Sequence, residues 1–261
     1  MTMQVVILCG GMGTRLREET EYRPKPLVEI GGKPILWHIM KIYSNYGFTD
    51  FILCLGYKGY LIKEYFLNYR AMTSDFTLRP GSGEPIQFHN CHGVEDWTIT
   101  FVETGLEAST GARVKRAEPY IHGENFMLTY GDGVADIEVA RLVEFHNQHG
   151  KLGTVTGVLP ISRYGELAVD GGRVKIFSEK PRQEDGYISG GFFVFHRGFL
   201  NYLSPEDDCT LERDPLERLV SEGQLMSYVH KAFWRCMDTY RDFVALNELW
   251  KNEAPWKVWE K

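Results

Sequence analysis

No stretch of the chain approaches the ~18 consecutive apolar residues of a membrane span. The first apolar run, Val5-Val6-Ile7-Leu8, is short and runs straight into glycines, unlike the apolar segment of a signal peptide. Cysteine is scarce: Cys9, Cys54, Cys91, Cys209 and Cys236 are odd in number and show no CxxC spacing, which suits reduced thiols in a cytosol. A cytoplasmic protein with no membrane partner is expected. Excess positive charge is missing as well. With a net charge of −6 and a pI near 5.8, a broad basic surface for nucleic acid is not expected. An acidic protein that binds phosphates must then concentrate its cations locally. Internal repeats, low-complexity tracts and long linkers are absent too. Apolar residues at 43% and charged residues at 25% are those of a folded globular protein, and the length suffices for a sizeable core. We expect a single domain over residues 1–261, with an insertion at about 70–98 where Thr, Pro, Gly and polar residues break the rhythm.

What the chain does have is an opening glycine loop. Val5-Val6-Ile7-Leu8 leads directly into Cys9-Gly10-Gly11-Met12-Gly13-Thr14-Arg15-Leu16. Glycines let a backbone approach an anion closely and turn its N–H groups toward it. Arg15 adds a permanent cation whose fork of donors fits phosphate oxygens. The alternative is a tight surface turn with Arg15 solvated. Two other phosphate motifs fail: the loop lacks the third glycine of the dinucleotide fingerprint, and Gly150-Lys151 is followed by Leu152, not by Ser or Thr.

Strands and helices alternate along the chain. Pro34 to Tyr46 repeats its apolar residues at helical spacing, opens on a proline suited to a first turn and stops at Gly47. Phe51-Ile52-Leu53-Cys54-Leu55 is a continuous apolar run closed by Gly56, the pattern of a strand buried on both faces. Together with the first strand this makes a βαβ unit and predicts a parallel sheet with a right-handed crossover. Further strands are expected at Ile99 to Val102, Phe126 to Thr129, Thr154 to Leu159, Val174 to Phe177 and Gly191 to Phe195. Further helices are expected at Tyr60 to Asn68, Ile137 to His149, Leu216 to Glu222 and Arg241 to Trp250. The fold class is α/β, with a mixed, mostly parallel sheet flanked by helices.

Several short motifs fall at the ends of expected strands, where open α/β sheets bind ligands. In Arg23-Pro24-Lys25-Pro26-Leu27 two prolines hold the backbone extended around Lys25, so its ammonium can be aimed; a rigid linker with a solvated lysine is the plainer alternative. In Tyr130-Gly131-Asp132-Gly133 a carboxylate between glycines can reach a cation, and Mg²⁺ favours one or two carboxylates plus phosphate oxygens. A turn in which Asp132 accepts its own backbone N–H fits equally. Asp238, in Trp234-Arg235-Cys236-Met237-Asp238-Thr239, is either a second such ligand or the N-cap of the following helix. His89-Asn90-Cys91-His92 lacks the second ligand pair of a zinc site. His146 and His149 share a helix face ending at Gly150, as a C-terminal cap with favourable dipole interactions does. Trp250, Trp256 and Trp259 either cover a subunit interface or pack on their own domain.

Taken in order, Leu8 to Leu16, Pro24-Lys25-Pro26, Gly131-Asp132-Gly133, Glu179-Lys180-Pro181 and Ser189-Gly190-Gly191 resemble the sugar nucleotidyltransferase family, over nearly the whole chain. Ile35 to Met40, Gly56 to Tyr60, Tyr130 to Asp136, Met237 to Thr239 and Ala254 to Lys257 are similar to its cytidylyl branch. The resemblance implies a Rossmann-like nucleotide-diphospho-sugar transferase fold, a Mg²⁺ cofactor, CTP and glucose 1-phosphate as substrates, and a homo-oligomer, trimeric or hexameric. It implies a nucleotide site of Leu8, Cys9, Gly10, Gly11, Met12, Gly13, Thr14, Arg15, Lys25, Thr110, Arg113 and Gly131, with Arg15 and Lys25 on the triphosphate as the catalytic pair. It implies Asp132 and Asp238 as metal ligands, Lys180 on the sugar phosphate, and Tyr164, Gly165, Glu179, Gly190 and Gly191 around the hexose. Two departures stand out: Cys9 replaces the usual alanine, and Ala112 stands where the family often has a second glycine in the loop Ser109 to Arg113. Use of UTP or dTTP is the alternative within the family. A non-catalytic binding or regulatory relative is the alternative outside catalysis, although the charged residues such proteins tend to lose are all present. Phosphate oxygen is already a nucleophile, so charge neutralisation and alignment are the main needs, and no general base is required.

Overall fold

A computed structural model describes residues 3–81, 83, 85–89, 95–160, 166–170, 173–178 and 186–260. Its centre is a seven-stranded sheet built from β1 (Val5–Leu8), β2 (Asp50–Leu55), β3 (Thr98–Glu103), β4 (Asn125–Tyr130), β5 (Gly153–Val158), β6 (Ile188–His196) and β7 (Leu225–His230). The spatial order is β7-β5-β6-β4-β1-β2-β3. All neighbours run parallel except at β6, which is antiparallel to both β5 and β4. The mixed, mostly parallel sheet expected from the alternating pattern is therefore present.

Alternate residues of each strand feed two cores, because successive side chains point to opposite faces. Val5 and Ile7 of β1 join Phe51, Leu53, Met127 and Phe192 on one face, covered by α1 (Ile35–Ser44), α4 (Val139–His149) and α6 (Tyr240–Asn252). Val6 and Leu8 join Ile52, Leu128, Phe193 and Phe195 on the other, covered by α3 (Thr110–Ala117) and α5 (Asp214–Ser221). Burial on both faces explains why β1 and β2 read as unbroken apolar runs. The remaining long helix, α2 (Gly59–Leu67), follows β2.

Some boundaries move. Pro34 is the extended residue before α1, which begins at Ile35 and ends at Ser44; a proline ring fixes φ but did not enter the first turn here. The segment Thr110 to Ala117 is helical, not a loop, so Ala112 sits in helical backbone with no need of a left-handed φ. Its Thr-Gly opening masks the helix in the sequence, because both residues are weak helix formers. The edge strand β7 was likewise missed; it is half-exposed and carries Ser227 and His230 among its apolar residues. Within the expected insertion lies a small hairpin, Asp75–Thr77 with Gln87–His89. His89 bonds Thr77 Oγ1 there, while Asn90, Cys91 and His92 lie outside the described residues. Trp256 is fully buried against His38 and Phe233, so this indole packs on its own domain. No helix among the described residues is long and apolar enough to cross a membrane.

Candidate active site

The glycine loop leaves the carboxyl end of β1 and is fixed from three sides. Gly131 N–H donates to Leu8 O, Cys9 N–H to Cys54 O, and Tyr57 N–H to Gly10 O, at 3.0, 3.0 and 3.1 Å. Arg113 reaches in from α3 with its guanidinium bonded to the carbonyls of Gly10, Leu55, Gly105 and Leu106 and to Thr104 Oγ1. A Cβ on Gly10 would lie 2.2 Å from Arg113 Nη1, so only glycine admits this strut. Gly13 has φ 64°, a left-handed turn that starts the short helix Thr14–Leu16. The loop encloses a cleft of about 380 Å³ lined by Leu8, Cys9, Gly10, Gly11, Gly13, Thr14, Arg15, Lys25, Thr110, Arg113, Gly131, Asp132 and Asp238. Met12 of the same loop is 43% exposed and does not line it. Burial drives the Cys9 thiol well above its ordinary pKa, with Cys54 beside it adding to the effect, so it is an inert wall atom.

Asp132 and Asp238 meet although they are far apart in sequence. Gly133–Ala135 pairs antiparallel with Trp234–Cys236, and Met237 N–H donates to Asp132 O at 2.8 Å, so one short ladder delivers both carboxylates. Thr239, not Asp238, caps α6: its side chain accepts from Asp242 N–H in a capping box, which leaves the Asp238 carboxylate to the cleft. Lys25 Nζ lies 2.5 Å from Asp132 Oδ2 and 2.8 Å from Asp238 Oδ1, and Arg15 Nη1 lies 3.0 Å from Asp238 Oδ2. Pro24 is extended as expected, but Lys25–Leu27 form a 3-10 turn with Pro26 buried within it, so the backbone is not extended on both sides of Lys25; this turn aims Lys25 into the cluster. Burial pulls the Lys25 pKa down, but the attraction and hydrogen bonds of Asp132 and Asp238 outweigh it and hold the ammonium above its ordinary value. Two carboxylates closing on one cation are a donor set that suits a divalent ion. No third His, Cys, Asp or Glu joins them among the described residues, so phosphate and water oxygens would complete a Mg²⁺ shell.

The sugar side is described in part. Gly190 is buried, its carbonyl accepting from Trp234 Nε1 at 2.8 Å, and Gly191 abuts the Tyr130 ring. Tyr164, Gly165, Glu179 and Lys180 lie outside the described residues. Tyr130 lines the cleft, and its hydroxyl donates to Glu212 at 2.5 Å; Thr110 donates to the other oxygen of the same carboxylate at 2.6 Å. Glu212 was not among the expected site residues. Nothing in Leu211-Glu212-Arg213 marks it, and only the fold brings it to Tyr130.

A glycine cradle, a pair of cations and a pair of carboxylates at the carboxyl ends of parallel strands define a class of phosphoryl-group enzyme. A family model described as nucleotidyl transferase matches residues 4–253, and the chain belongs to that family. It is 49% identical over 260 residues to the glucose-1-phosphate cytidylyltransferase of Salmonella typhi, covering 99% of this chain and 100% of that protein. It is equally similar, 49% over 99% and 100% of the two chains, to the protein of that name in Salmonella typhimurium strain LT2. Among solved structures, HddC from Yersinia pseudotuberculosis matches with a TM-score of 0.68 and 25% identity, over 95% of this chain and 99% of that one.

Proposed function

We propose that the protein transfers the cytidylyl group of CTP to glucose 1-phosphate, giving CDP-glucose and pyrophosphate. The observation that carries this is the cluster of Lys25, Arg15, Asp132 and Asp238 on the rim of the glycine cradle, in a chain almost half identical to two cytidylyltransferases over its full length. An oxygen of the sugar phosphate attacks the α-phosphorus of CTP; the bond from that phosphorus to the bridging oxygen breaks, and pyrophosphate leaves with the electron pair. Both partners are anions, so repulsion and misalignment are the barrier. The backbone N–H groups of the loop hold the triphosphate, while Arg15 and Lys25 neutralise charge growing on the departing pyrophosphate. Lys180 is assigned to the incoming phosphate on its Glu-Lys-Pro motif. Asp132 and Asp238 would hold Mg²⁺, which supplies further charge neutralisation to the phosphates when bound.

A homo-oligomer belongs to the same proposal. Exposed Tyr22, Leu67, Met72 and Phe76 offer apolar surface for it, and light scattering on the purified protein tests it. The activity is tested by incubating protein with glucose 1-phosphate, Mg²⁺ and each nucleotide in turn and measuring pyrophosphate. CTP is expected to outpace UTP, dTTP, GTP and ATP. Equal rates with CTP and UTP would keep a nucleotidyltransferase and remove the cytidylyl assignment.

A further inference from the structure

The Glu212 carboxylate holds two hydroxyl protons at once. Tyr130 donates to its Oε1 at 2.5 Å and Thr110 to its Oε2 at 2.6 Å, distances of charge-assisted O–H···O⁻ bonds. Leu211 N–H donates to Thr110 Oγ1 at 2.9 Å, so this hydroxyl already gives its only proton and receives another. A hydroxyl has one proton and two lone pairs. Thr110 and Tyr130 both line the cleft, and with their protons held by Glu212 each has only lone pairs left to offer a ligand.

We propose that Glu212 is a positioning residue for nucleobase choice. By fixing the direction of two hydroxyl protons, it makes Thr110 and Tyr130 acceptors only. Such a wall suits the exocyclic amino group of cytosine, a donor, and opposes the oxygen that uracil carries at the same ring position. The preference is thus set by a side chain that need not touch the base. This deepens the CTP-dependent transfer proposed above and rests on it.

Glu212→Gln tests the idea because an amide offers one acceptor and one donor. Its NH₂ can bond only the oxygen of one hydroxyl, whose own proton then turns toward the cleft, where it can meet a uracil oxygen. The ratio of kcat/KM for CTP to that for UTP is expected to fall by about tenfold or more, the scale of one mispaired buried group. Glu212→Asp keeps an acceptor-only carboxylate and is expected to retain more of the ratio than Glu212→Gln, although it changes the shape more. An equal loss with both nucleotides in Glu212→Gln, leaving the ratio at its wild-type value, would overturn the proposal and leave Glu212 a strut. If Glu212→Gln does not fold, Thr110→Val and Tyr130→Phe each delete one oriented hydroxyl. At least one is expected to lower the ratio, and an unchanged ratio in both overturns the proposal. The wild-type ratio separates the two claims: a protein using UTP as well as CTP defeats the cytidylyl reading and this inference together, whereas a CTP preference kept in every variant defeats the inference alone.

Discussion

Lys25 is the residue on which the candidate site turns, because its ammonium answers both carboxylates. Removing either carboxylate leaves that ammonium half-paired and takes one expected ligand from Mg²⁺. Asp132→Ala or Asp238→Ala is expected to lower turnover by about two to three orders of magnitude, comparable to loss of one preorganised charge-stabilising group, with circular dichroism unchanged. Near-normal activity of both variants in Mg²⁺ would end the metal assignment. Lys25→Ala should act differently. It leaves two carboxylates facing each other, so calorimetry is expected to show tighter Mg²⁺ binding to the nucleotide-free protein even as nucleotide use and turnover fall. Lys180→Ala is expected chiefly to raise the KM for the sugar phosphate. If each lysine variant affects both substrates alike, the division between them is wrong.

At the scale of elements, Asp238 is held between a ladder and a helix cap. Trp234–Cys236 precedes it and the Thr239–Asp242 capping box follows it. Thr239→Ala is expected to cost about 1 kcal/mol through loss of the cap. It should also raise the Mg²⁺ concentration needed for half-maximal rate, because Asp238 loses its anchor; a lower melting temperature with an unchanged Mg²⁺ requirement would separate the cap from the site. The same stretch shows what was legible beforehand. The runs that form β1 and β2 and the periodic segment between them announce themselves, since burial on both faces leaves them almost no polar residue. The strands Gly133–Ala135 and Trp234–Cys236 do not, since three residues carry no periodicity and their pairing spans about a hundred positions. Asp238 was visible as a candidate but could not be told from an N-cap until Thr239 was seen to fill that role. Arg113 was a candidate only through the family resemblance; that its donors go to the carbonyls around Gly10 depends on α3 packing against β1 and β2, which no local pattern encodes.

For the molecule as a whole, two buried histidines, both on helices that cover the same face of the sheet, are kept neutral. His38 of α1 is fully buried, its Nε2 2.9 Å from Ile30 O and its Nδ1 accepting from Trp256 Nε1 at 3.4 Å. Burial, against the bond to Ile30, lowers its pKa to about 4. His146 of α4, at 2.9 Å from Thr154 Oγ1, is lowered to about 4 by burial and by His149 and His196 nearby. Gly150 takes the left-handed conformation expected of the cap at the end of α4; only the dipole interaction expected of His146 is corrected, because burial keeps the ring uncharged at neutral pH and Thr154 is its partner. In the unfolded chain both rings titrate near ~6.5. From there down to about 4 the unfolded state binds more protons than the folded one, so stability is complete above that window and is lost as the pH falls through it. Between about pH 6 and pH 5 the two groups together should remove about 2 kcal/mol, read as a lower urea midpoint. His38→Gln keeps an amide donor for Ile30 O but cannot titrate, so its midpoint should start lower at neutral pH and then fall less steeply with acid. An identical slope in wild type and His38→Gln would mean that His38 carries none of the acid sensitivity.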